Sequence, residues 1–227
     1  MVVFFKFPST PHLRANSSVT RQDKILSPTE RIDFLQNKLV IEEKLDGANI
    51  GVSIGGDGII RVQNRGSILN PPYSGQFSRL NSWLEIHRPP LVTALKSNVI
   101  LIGEWCSSQH SIHYGSLPDL FILFDVYDLK KQAFWSVFRR DALAKIHDFK
   151  IPNRFDLKSQ DIPKLSEFVN EATSKFSDTH IEGIILRQDD PLWNIRRAKL
   201  VRENFSQSIN DHWSKRNIVW NKLREQD

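Results

Sequence analysis

Runs of hydrophobic residues along the chain follow two different periods. Seven short runs are continuously apolar or alternate every second position, which predicts β-strands. These runs cover residues 39–44, 48–54, 58–64, 99–105, 120–127, 181–187 and 197–202. The glycines of Gly55-Gly56-Asp57-Gly58 tolerate a positive φ, so the second and third runs are predicted to form a hairpin. We expect the first three strands to form an antiparallel meander.

Other segments carry apolar residues at helical spacing. Ser27-Pro28-Thr29-Glu30 combines a capping-box spacing with proline at the first helical position, which predicts a helix leading into Arg31 to Leu39. Further helices are predicted after Phe77, near 139–148, near 161–176 and, as an amphipathic C-terminal helix, over about 206–223. The fold class is therefore α+β, with mostly antiparallel sheets and flanking helices.

Length and composition predict one domain. The 227 residues, of which 40% are hydrophobic, are enough to bury a core without disulfides. No repeat or long linker divides them, so we expect a single domain over 1–227. Cys106 is the sole cysteine, and the sequence lacks a secretory leader pattern and a long apolar run. We therefore expect no membrane association and a cytoplasmic or other reducing intracellular compartment.

Charge points to the class of partner. Lysine and arginine number 31 against 26 acidic residues, a formal net charge of +5. A basic chain attracts polyanions and releases their counterions, so this modest excess favours a nucleic-acid partner.

Four charged residues lie within or at the end of apolar strands, namely Lys44, Glu104, Glu182 and Lys199. A charge in such a strand is costly to bury unless it is paired, bound to metal or turned toward a wet cleft. One such residue carries little information. Four of them predict a common cavity.

The residue types in that cavity suit chemistry at phosphorus. Lys44 can act as a nucleophile once its pKa, near 10.4 for a free lysine, is lowered. Glu104 and Glu182 can hold a divalent metal or sugar hydroxyls, and Lys199 with Arg197 can neutralise phosphate oxygens. Strand alternation in 120–127 also places Phe121 and Phe124 on opposite faces, so that one can stack on a base. The absence of a G-x-x-x-x-G-K-[ST] loop argues against a P-loop triphosphate site.

Five ordered motifs resemble those of the covalent nucleotidyltransferases, the superfamily of ATP-dependent DNA and RNA ligases and mRNA capping enzymes. E-K-L-D-G at 43–47 resembles the lysine-nucleophile motif, and the following A-N looks like the nick-sealing, phage-type RNA ligases. The later motifs are N-R-G at 64–66, G-E-W at 103–105, I-E-G-I-I-L-R at 181–187 and A-K-L-V-R at 198–202, with an adenine-stacking element similar to F-I-L-F-D at 121–125. The resemblance covers about residues 39–205.

This resemblance implies a nucleotidyltransferase fold, an ATP-grasp-like ligase adenylation domain, and roles for individual residues. Lys44 would be the nucleophile, Glu104 would bind the ribose, Phe121 would stack on adenine, Glu182 would bind metal and Lys199 would contact the α-phosphate. Nucleotide contacts are also implied for Glu43, Asp46, Gly47, Asn49 and Arg65.

The implied activity is ATP-dependent RNA ligation with Mg²⁺ or Mn²⁺. Lys44 would form lysyl-AMP, AMP would pass to a 5′-phosphate end, and a 3′-hydroxyl would attack to form a 3′-5′ phosphodiester. DNA is a further possible substrate. Two alternatives stay open, namely a DNA ligase core or GTP-dependent mRNA guanylyltransferase, and a non-catalytic basic RNA-binding module.

The sequence departs from the superfamily pattern at two places. The last motif commonly carries two lysines two positions apart, whereas residue 201 is Val, so an arginine must supply the second cation. Arg202 is the first choice, because K-L-V-R is a familiar variant of the motif. Arg197 is the alternative, because it lies on the same strand face as Lys199. Only 22 residues follow Phe205, so no appended oligonucleotide-binding barrel is expected. His110 and His113 are predicted either to lie on a loop that contacts substrate phosphates or to pack with Tyr114.

Overall fold

A computed structural model describes residues 4–15, 23–96, 98–203, 205 and 218–225. Over these ranges the helices are α1 Pro28–Leu35, α2 Leu80–Leu95, α3 Val137–His147 and α4 Ile162–Glu171, with a 3₁₀ helix at Gly75–Phe77. The strands are β1 Val40–Lys44, β2 Ala48–Ile54, β3 Ile60–Gln63, β4 Ile68–Leu69, β5 Val99–Trp105, β6 Phe121–Asp128, β7 Ala133–Phe134, β8 Arg154–Phe155, β9 Gly183–Asp189 and β10 Asn194–Val201. The predicted α+β class is confirmed.

The strands form two antiparallel sheets. The first has the order β10-β9-β1-β8, and the second has the order β4-β3-β2-β5-β6-β7. In the first sheet Lys44 pairs with Gly183 and Lys199 pairs with Ile185, and in the second Asn49 pairs with Glu104. The register thus brings the charged ends of distant segments to neighbouring positions.

Each sheet packs against helices through a hydrophobic core, and a smaller cluster around Phe7, Ile100 and Ile102 covers the other face of the second sheet. The core of the second sheet includes Trp83 of α2, Trp105 of β5 and Phe121 of β6. The core of the first sheet includes Phe34 of α1, Leu165 of α4 and Ile184 of β9. Within the described residues, no helix is long and apolar enough to cross a membrane.

Local signals in the sequence explain where helices begin. Ser27 caps α1, because its hydroxyl accepts from the Glu30 amide and its own amide donates to the Glu30 carboxylate, which completes the predicted capping box. Ser136 and Asp161 cap α3 and α4 with their side-chain oxygens. The helices end earlier than predicted, since α1 ends at Leu35 and α4 at Glu171.

The predicted meander of the first three strands is wrong. The β2–β3 hairpin forms, but β1 pairs with β8 and β9 in the other sheet. The chain crosses between the sheets at residues 45–47, where the buried Asp46 takes its hydrogen bonds from a distant loop rather than from a neighbouring strand.

The predicted C-terminal helix over 206–223 is only partly covered by the structure. Residues 206–217 lie outside the described residues. Residues 218–225 are not helical, because Trp220 pairs with Ser108 and Leu223 pairs with Leu117 as isolated β-bridges. The prediction is therefore wrong for 218–223, where backbone groups bond to the loop between β5 and β6 instead of to a helix.

A buried ion network joins α3 to both sheets. Arg140 of α3 has no exposed side-chain surface and donates two hydrogen bonds to Glu42 of β1, at 3.0 and 2.5 Å, and one to the Phe124 carbonyl at 2.8 Å. Burial would raise the pKa of Glu42, but Arg140, Arg187 and Arg154 outweigh it and lower that pKa to about 2. The network therefore fixes β1 relative to β6.

We expect replacement of Arg140 by alanine to lower the free energy of unfolding by about 3–5 kcal/mol, because it leaves the Glu42 carboxylate buried without its main partner. Arg154→Ala is the matched control. Arg154 also contacts Glu42 and Asp141, but its side chain is 44% exposed, so its loss should cost less than about 1 kcal/mol. Urea unfolding measures the free energy of unfolding of both variants. Equal decreases for Arg140→Ala and Arg154→Ala would contradict the assigned role of burial.

Candidate active site

A cavity of about 750 Å³ is lined by both sheets. Its wall includes every residue from Glu42 to Asn49, so the crossing between the sheets runs along it. The other lining residues are Phe7, Thr10, Asn64, Arg65, Gly66, Ser67, Gln76, Phe77, Glu104, His110, Ser111, Phe124, Asp125, Pro152, Ile185, Arg187, Arg197 and Lys199. Of the four charged residues predicted to share a cavity, Lys44, Glu104 and Lys199 line it, whereas Glu182 is not in its wall and lies behind Lys44, with which it pairs.

The crossing is held by hydrogen bonds at each of its residues. The Asp46 carboxylate accepts from the backbone amides of Ser111 and Ile112 at 2.6 and 2.9 Å. The Asp46 amide donates to the Tyr114 hydroxyl at 2.8 Å, and the Gly47 amide donates to Glu104 at 3.0 Å. These bonds give the chain one defined path out of β1.

No side chain fits at position 47 in the crossing between the sheets. A Cβ atom at this position would lie 2.7 Å from the carbonyl oxygen of Trp105 and 3.0 Å from Cγ of Glu104. Any larger residue would push the crossing away from β5. Glycine therefore lets the chain pass close to β5, where the Gly47 amide donates to the Glu104 carboxylate.

Lys44 forms an ion pair with Glu182, which directly precedes β9. Nζ of Lys44 lies 2.7 Å from Oε2 of Glu182, with the glutamate almost fully buried and the lysine 21% exposed. Burial alone would lower the pKa of Lys44, but Glu182, Glu104 and Asp46 raise it above its ordinary value. Lys44 is therefore held as an ammonium ion in the state that the structure describes.

Two carboxylates of the site hold protons unusually well. Burial, reinforced by neighbouring acids, raises the pKa of Glu104 and that of Glu182 to about 7, although the positive charge of Lys44 opposes both shifts. Asp46 adds a third acid next to them. A cation bound beside these carboxylates would favour their ionised forms.

Lys199 is linked to the N-terminal part of the chain. Its amide donates to the Pro11 carbonyl and its carbonyl accepts from the Leu13 amide, both at 2.8 Å. Its Nζ donates to Asp23 at 3.2 Å. Burial lowers the pKa of Lys199, and the charge of Lys44 acts in the same direction.

The aromatic wall differs from the prediction. Phe121 is 1% exposed and packs on Trp83 with a centroid distance of 5.2 Å, so it belongs to the core and does not line the cavity. Phe124 lines the cavity instead. The pairing of β5 with β6 shifts between Ile102 and Gly103, which makes Phe124 the extra residue of a bulge. The predicted base-stacking position therefore moves from Phe121 to Phe124.

Of the two candidates for the second cation, one lines the cavity and the other does not. Arg197 lines the cavity, where it pairs with Asp125 and lies over the rings of Phe7 and Phe134. Arg202 follows the end of β10, lies over Phe205 and is absent from the cavity wall. The structure thus brings Arg197 and not Arg202 to the site, as strand parity favours.

Only one of the two histidines lines the cavity. His110 lines the cavity and is hydrogen-bonded to Gln76 at 2.8 Å. His113 does not line it, and its carbonyl accepts from the hydroxyl of Ser177 at 2.7 Å. Glu43 lines the cavity with a carboxylate that accepts from the hydroxyl of Ser174 and the amide of Lys175.

The sequence reading missed the ion network that lies beside the site. Glu42, Asp125 and Arg187 all line the cavity, and Arg187 donates to Asp125 at 2.7 Å. Each lies in an otherwise apolar strand, so the rule that singled out Lys44 and Glu104 would also have found them. The contributions of Phe7 and Thr10 come from a segment whose sequence pattern carries no comparable signal.

Comparison with known proteins gives a family and a fold. The family model described as RNA ligase matches residues 37–201. A structure of Naegleria gruberi RNA ligase with PPi is similar at 20% identity and a TM-score of 0.59, over 89% of this chain and 61% of that chain. A lysine-to-alanine mutant of the same ligase with ATP and Mn gives 20% and 0.60, over 75% of this chain and 51% of that one.

The chain spans about half the length of several of the ligase structures that it matches. No protein matches in the comparison with curated proteins. The likeness of these structures shows the nucleotidyltransferase-type fold, which agrees with the fold expected from the five motifs.

The raised pKa of Glu104 predicts how stability varies with pH. Its folded pKa of about 7 exceeds the ordinary value of 4.5, so its contribution to stability is present below pH 4.5 and is lost as pH rises through 7. In Glu104→Gln this loss cannot occur. The free energy of unfolding of the wild type should therefore fall relative to that of Glu104→Gln by about 1–3 kcal/mol between pH 4.5 and 8, since one pKa unit corresponds to about 1.4 kcal/mol.

Denaturant unfolding in the presence of a chelator measures this difference without interference from metal ions. Glu85→Gln, at an exposed position of α2, is the control and should show no comparable change with pH. A constant difference between wild type and Glu104→Gln across the range would contradict the role of burial at Glu104.

Proposed function

The chain belongs to the RNA ligase family, and from that premise we propose that it is an ATP-dependent RNA ligase that forms a covalent adduct between AMP and Lys44. The observation that carries the proposal is the position of the Lys44 amine, which lies in the wall of a nucleotide-sized cavity among Glu104, Glu182 and Lys199. A lysine in this setting can reach a bound phosphate.

The first step is attack on the α-phosphorus of ATP. Nζ of Lys44, after losing a proton to solvent, forms a bond to that phosphorus while the bond to the oxygen bridging to the β-phosphate breaks. Pyrophosphate leaves and lysyl-AMP remains. Lys199 is placed to neutralise charge on the phosphate oxygens, with Arg65 and Arg197 as further cations in the cavity wall.

Two further steps complete ligation. AMP passes from Lys44 to a 5′-phosphate end of RNA, and a 3′-hydroxyl then attacks that activated phosphate to form a 3′-5′ phosphodiester and release AMP. In both steps the protein contributes positioning and charge neutralisation. RNA is proposed as the substrate on the strength of the family, and DNA ends are tested beside it.

The acids of the cavity fit Mg²⁺ or Mn²⁺. In the part of the chain that the structure describes, no three acidic or metal-binding side chains form a ready cluster. Mg²⁺ commonly takes one or two protein carboxylates and completes its shell with phosphate oxygens and water, so Glu182 with ATP would suffice. Such a cation would supply positive charge that neutralises phosphate oxygens and lowers the pKa of Lys44.

Phe124 is proposed as the residue that stacks on the base. It lies in the cavity wall, whereas Phe121 lies in the core. Phe7, 5.6 Å from Phe124 between ring centroids, supports its ring from the side. Every base presents a π-face, so stacking on Phe124 would contribute affinity for the nucleotide without distinguishing adenine from guanine.

Incubation of the protein with ATP and Mg²⁺ should add the mass of one AMP, located on Lys44 by peptide mapping. Lys44→Arg keeps a positive charge beside Glu182 but lacks a nucleophilic amine, so it should form no adduct. The matched control Lys38→Arg changes an exposed lysine and should form the adduct at the wild-type rate.

The same assay separates the alternatives. A GMP adduct from GTP without an AMP adduct would favour a guanylyltransferase, and no adduct with either nucleotide would favour a non-catalytic RNA-binding module. Sealing of a nicked duplex with RNA ends, compared with the same nick in DNA, tests the substrate. Each of the first two results would contradict the proposal.

Phe124→Ala should raise the ATP concentration for half-maximal adduct formation by about tenfold or more, because stacking contributes about 1–3 kcal/mol per base. Phe124→Tyr keeps a ring and should stay close to wild type. Phe138→Ala, at a 75% exposed position, is the control. An unchanged ATP requirement in folded Phe124→Ala would rule out stacking on this residue.

A further inference from the structure

Residues 218–225, here called the C-terminal tail, lie along the loop that joins β5 to β6. In the described part of the chain, five backbone hydrogen bonds connect the tail to this loop. They run from Gln109 N to Val219 O at 2.9 Å, Asn221 N to Ser107 O at 3.1 Å, Lys222 N to Tyr114 O at 2.9 Å, Leu117 N to Lys222 O at 2.9 Å and Arg224 N to Leu117 O at 2.9 Å. The tail also places Trp220 under Arg79, 4.3 Å from the ring centroid.

Asn221 is the one buried side chain among the described tail residues, with 2% exposure. Its Nδ2 donates to the Cys106 carbonyl at 2.9 Å, and its Oδ1 accepts from the Tyr114 amide at 2.8 Å. These two partners lie at opposite sides of the loop. A single amide group thus closes the loop, and each of its two bonds satisfies a backbone group that would otherwise be buried without a partner.

The loop that Asn221 closes also holds the crossing between the sheets, through hydrogen bonds to Asp46. Tyr114 is fully buried, and its hydroxyl accepts from the amide of Asp46. The amides of Ser111 and Ile112, on the same loop, hold the Asp46 carboxylate. Asp46 lies two residues after Lys44. A continuous chain of contacts therefore runs from Asn221 through Tyr114 and Asp46 to the lysine.

We infer that Asn221 is a positioning residue for adenylylation: by closing the 106–117 loop it holds Tyr114 and Asp46, and through them sets the position of the Lys44 amine relative to the α-phosphate. This inference rests on the proposed function of Lys44. The tail lies outside the residues 37–201 that the family model matches. In-line attack is sensitive to displacement, since about 1 Å can cost about 10²-fold in rate.

The test measures lysyl-AMP formation in a single turnover, using the full chain. Asn221→Ala should lower the rate constant at saturating ATP by about tenfold or more, while the ATP concentration for half-maximal rate changes less than about threefold. Asn221→Asp keeps the acceptor for the Tyr114 amide but replaces the donor to the Cys106 carbonyl with a second acceptor, so its rate should also fall below that of the wild type. Lys222→Ala is the matched control, because its side chain is exposed and its backbone bonds remain.

A double-mutant cycle distinguishes positioning from a general loss of stability. Tyr114→Phe keeps the buried ring and removes the hydroxyl that accepts from Asp46. If Asn221 acts through Tyr114, the combined Asn221→Ala and Tyr114→Phe variant should be slowed by clearly less than the product of the two single effects. All rates are taken at a temperature at which circular dichroism shows each variant folded, and Tyr114→Phe with Asn221→Asp carries the test if Asn221→Ala does not fold.

The outcomes are separable. If the wild type forms lysyl-AMP and folded Asn221→Ala matches its rate, or if the two single effects multiply, the inference is overturned and the proposed function stands. If the wild type forms no lysyl-AMP from ATP, the proposed function fails and the inference fails with it.

Discussion

The crossing of the chain from one sheet to the other at residues 45–47 is the constraint on which the site depends. It puts Lys44 at the end of a strand in one sheet and Asn49 at the start of a strand in the other, so the cavity is bounded by both. The crossing is buried, and its polar groups must all find partners. The Ser111 and Ile112 amides, the Tyr114 hydroxyl and the Glu104 carboxylate supply them. A change in any of these partners therefore reaches the lysine.

A second restraint lies in the wall of the cavity and in the helix behind it. Glu42, Arg140, Asp125 and Arg187 form a buried network that ties β1, α3, β6 and β9 together. Buried ion pairs often contribute little net stability compared with well-packed apolar residues, because desolvation of the charges is costly. Their geometry is nevertheless demanding, since each guanidinium needs several acceptors at fixed angles. The network thus specifies one relative placement of the two sheets and so one shape of the cavity.

Much of this structure could be predicted from local sequence, and the rest depends on contacts between distant residues. Apolar periodicity located the seven longer strands but not the two-residue strands β4, β7 and β8, and the capping box at Ser27 located α1. Both signals are properties of neighbouring residues. Which sheet β1 joins could not be read in this way, because its partners lie more than 100 residues away in β8 and β9. Strand alternation placed Phe121 and Phe124 on opposite faces without saying which face lines the cavity, and the family resemblance implied Phe121, whereas the bulged residue Phe124 is the one in the cavity wall. The tail at 218–225 repeats apolar residues at helical spacing, but its backbone groups bond to a loop instead.

The N-terminal segment has a consequence for how the protein reaches its working state. Residues 11–13 bond to the backbone of Lys199, almost 190 positions later, and Phe7 and Thr10 complete the wall of the same cavity. Contacts of such high sequence separation form late, since the intervening loop must first be closed. During synthesis this wall cannot form until β10 has left the ribosome. A ligand that contacts this wall therefore binds only the chain in which the N-terminal segment and β10 have met, and it stabilises that state.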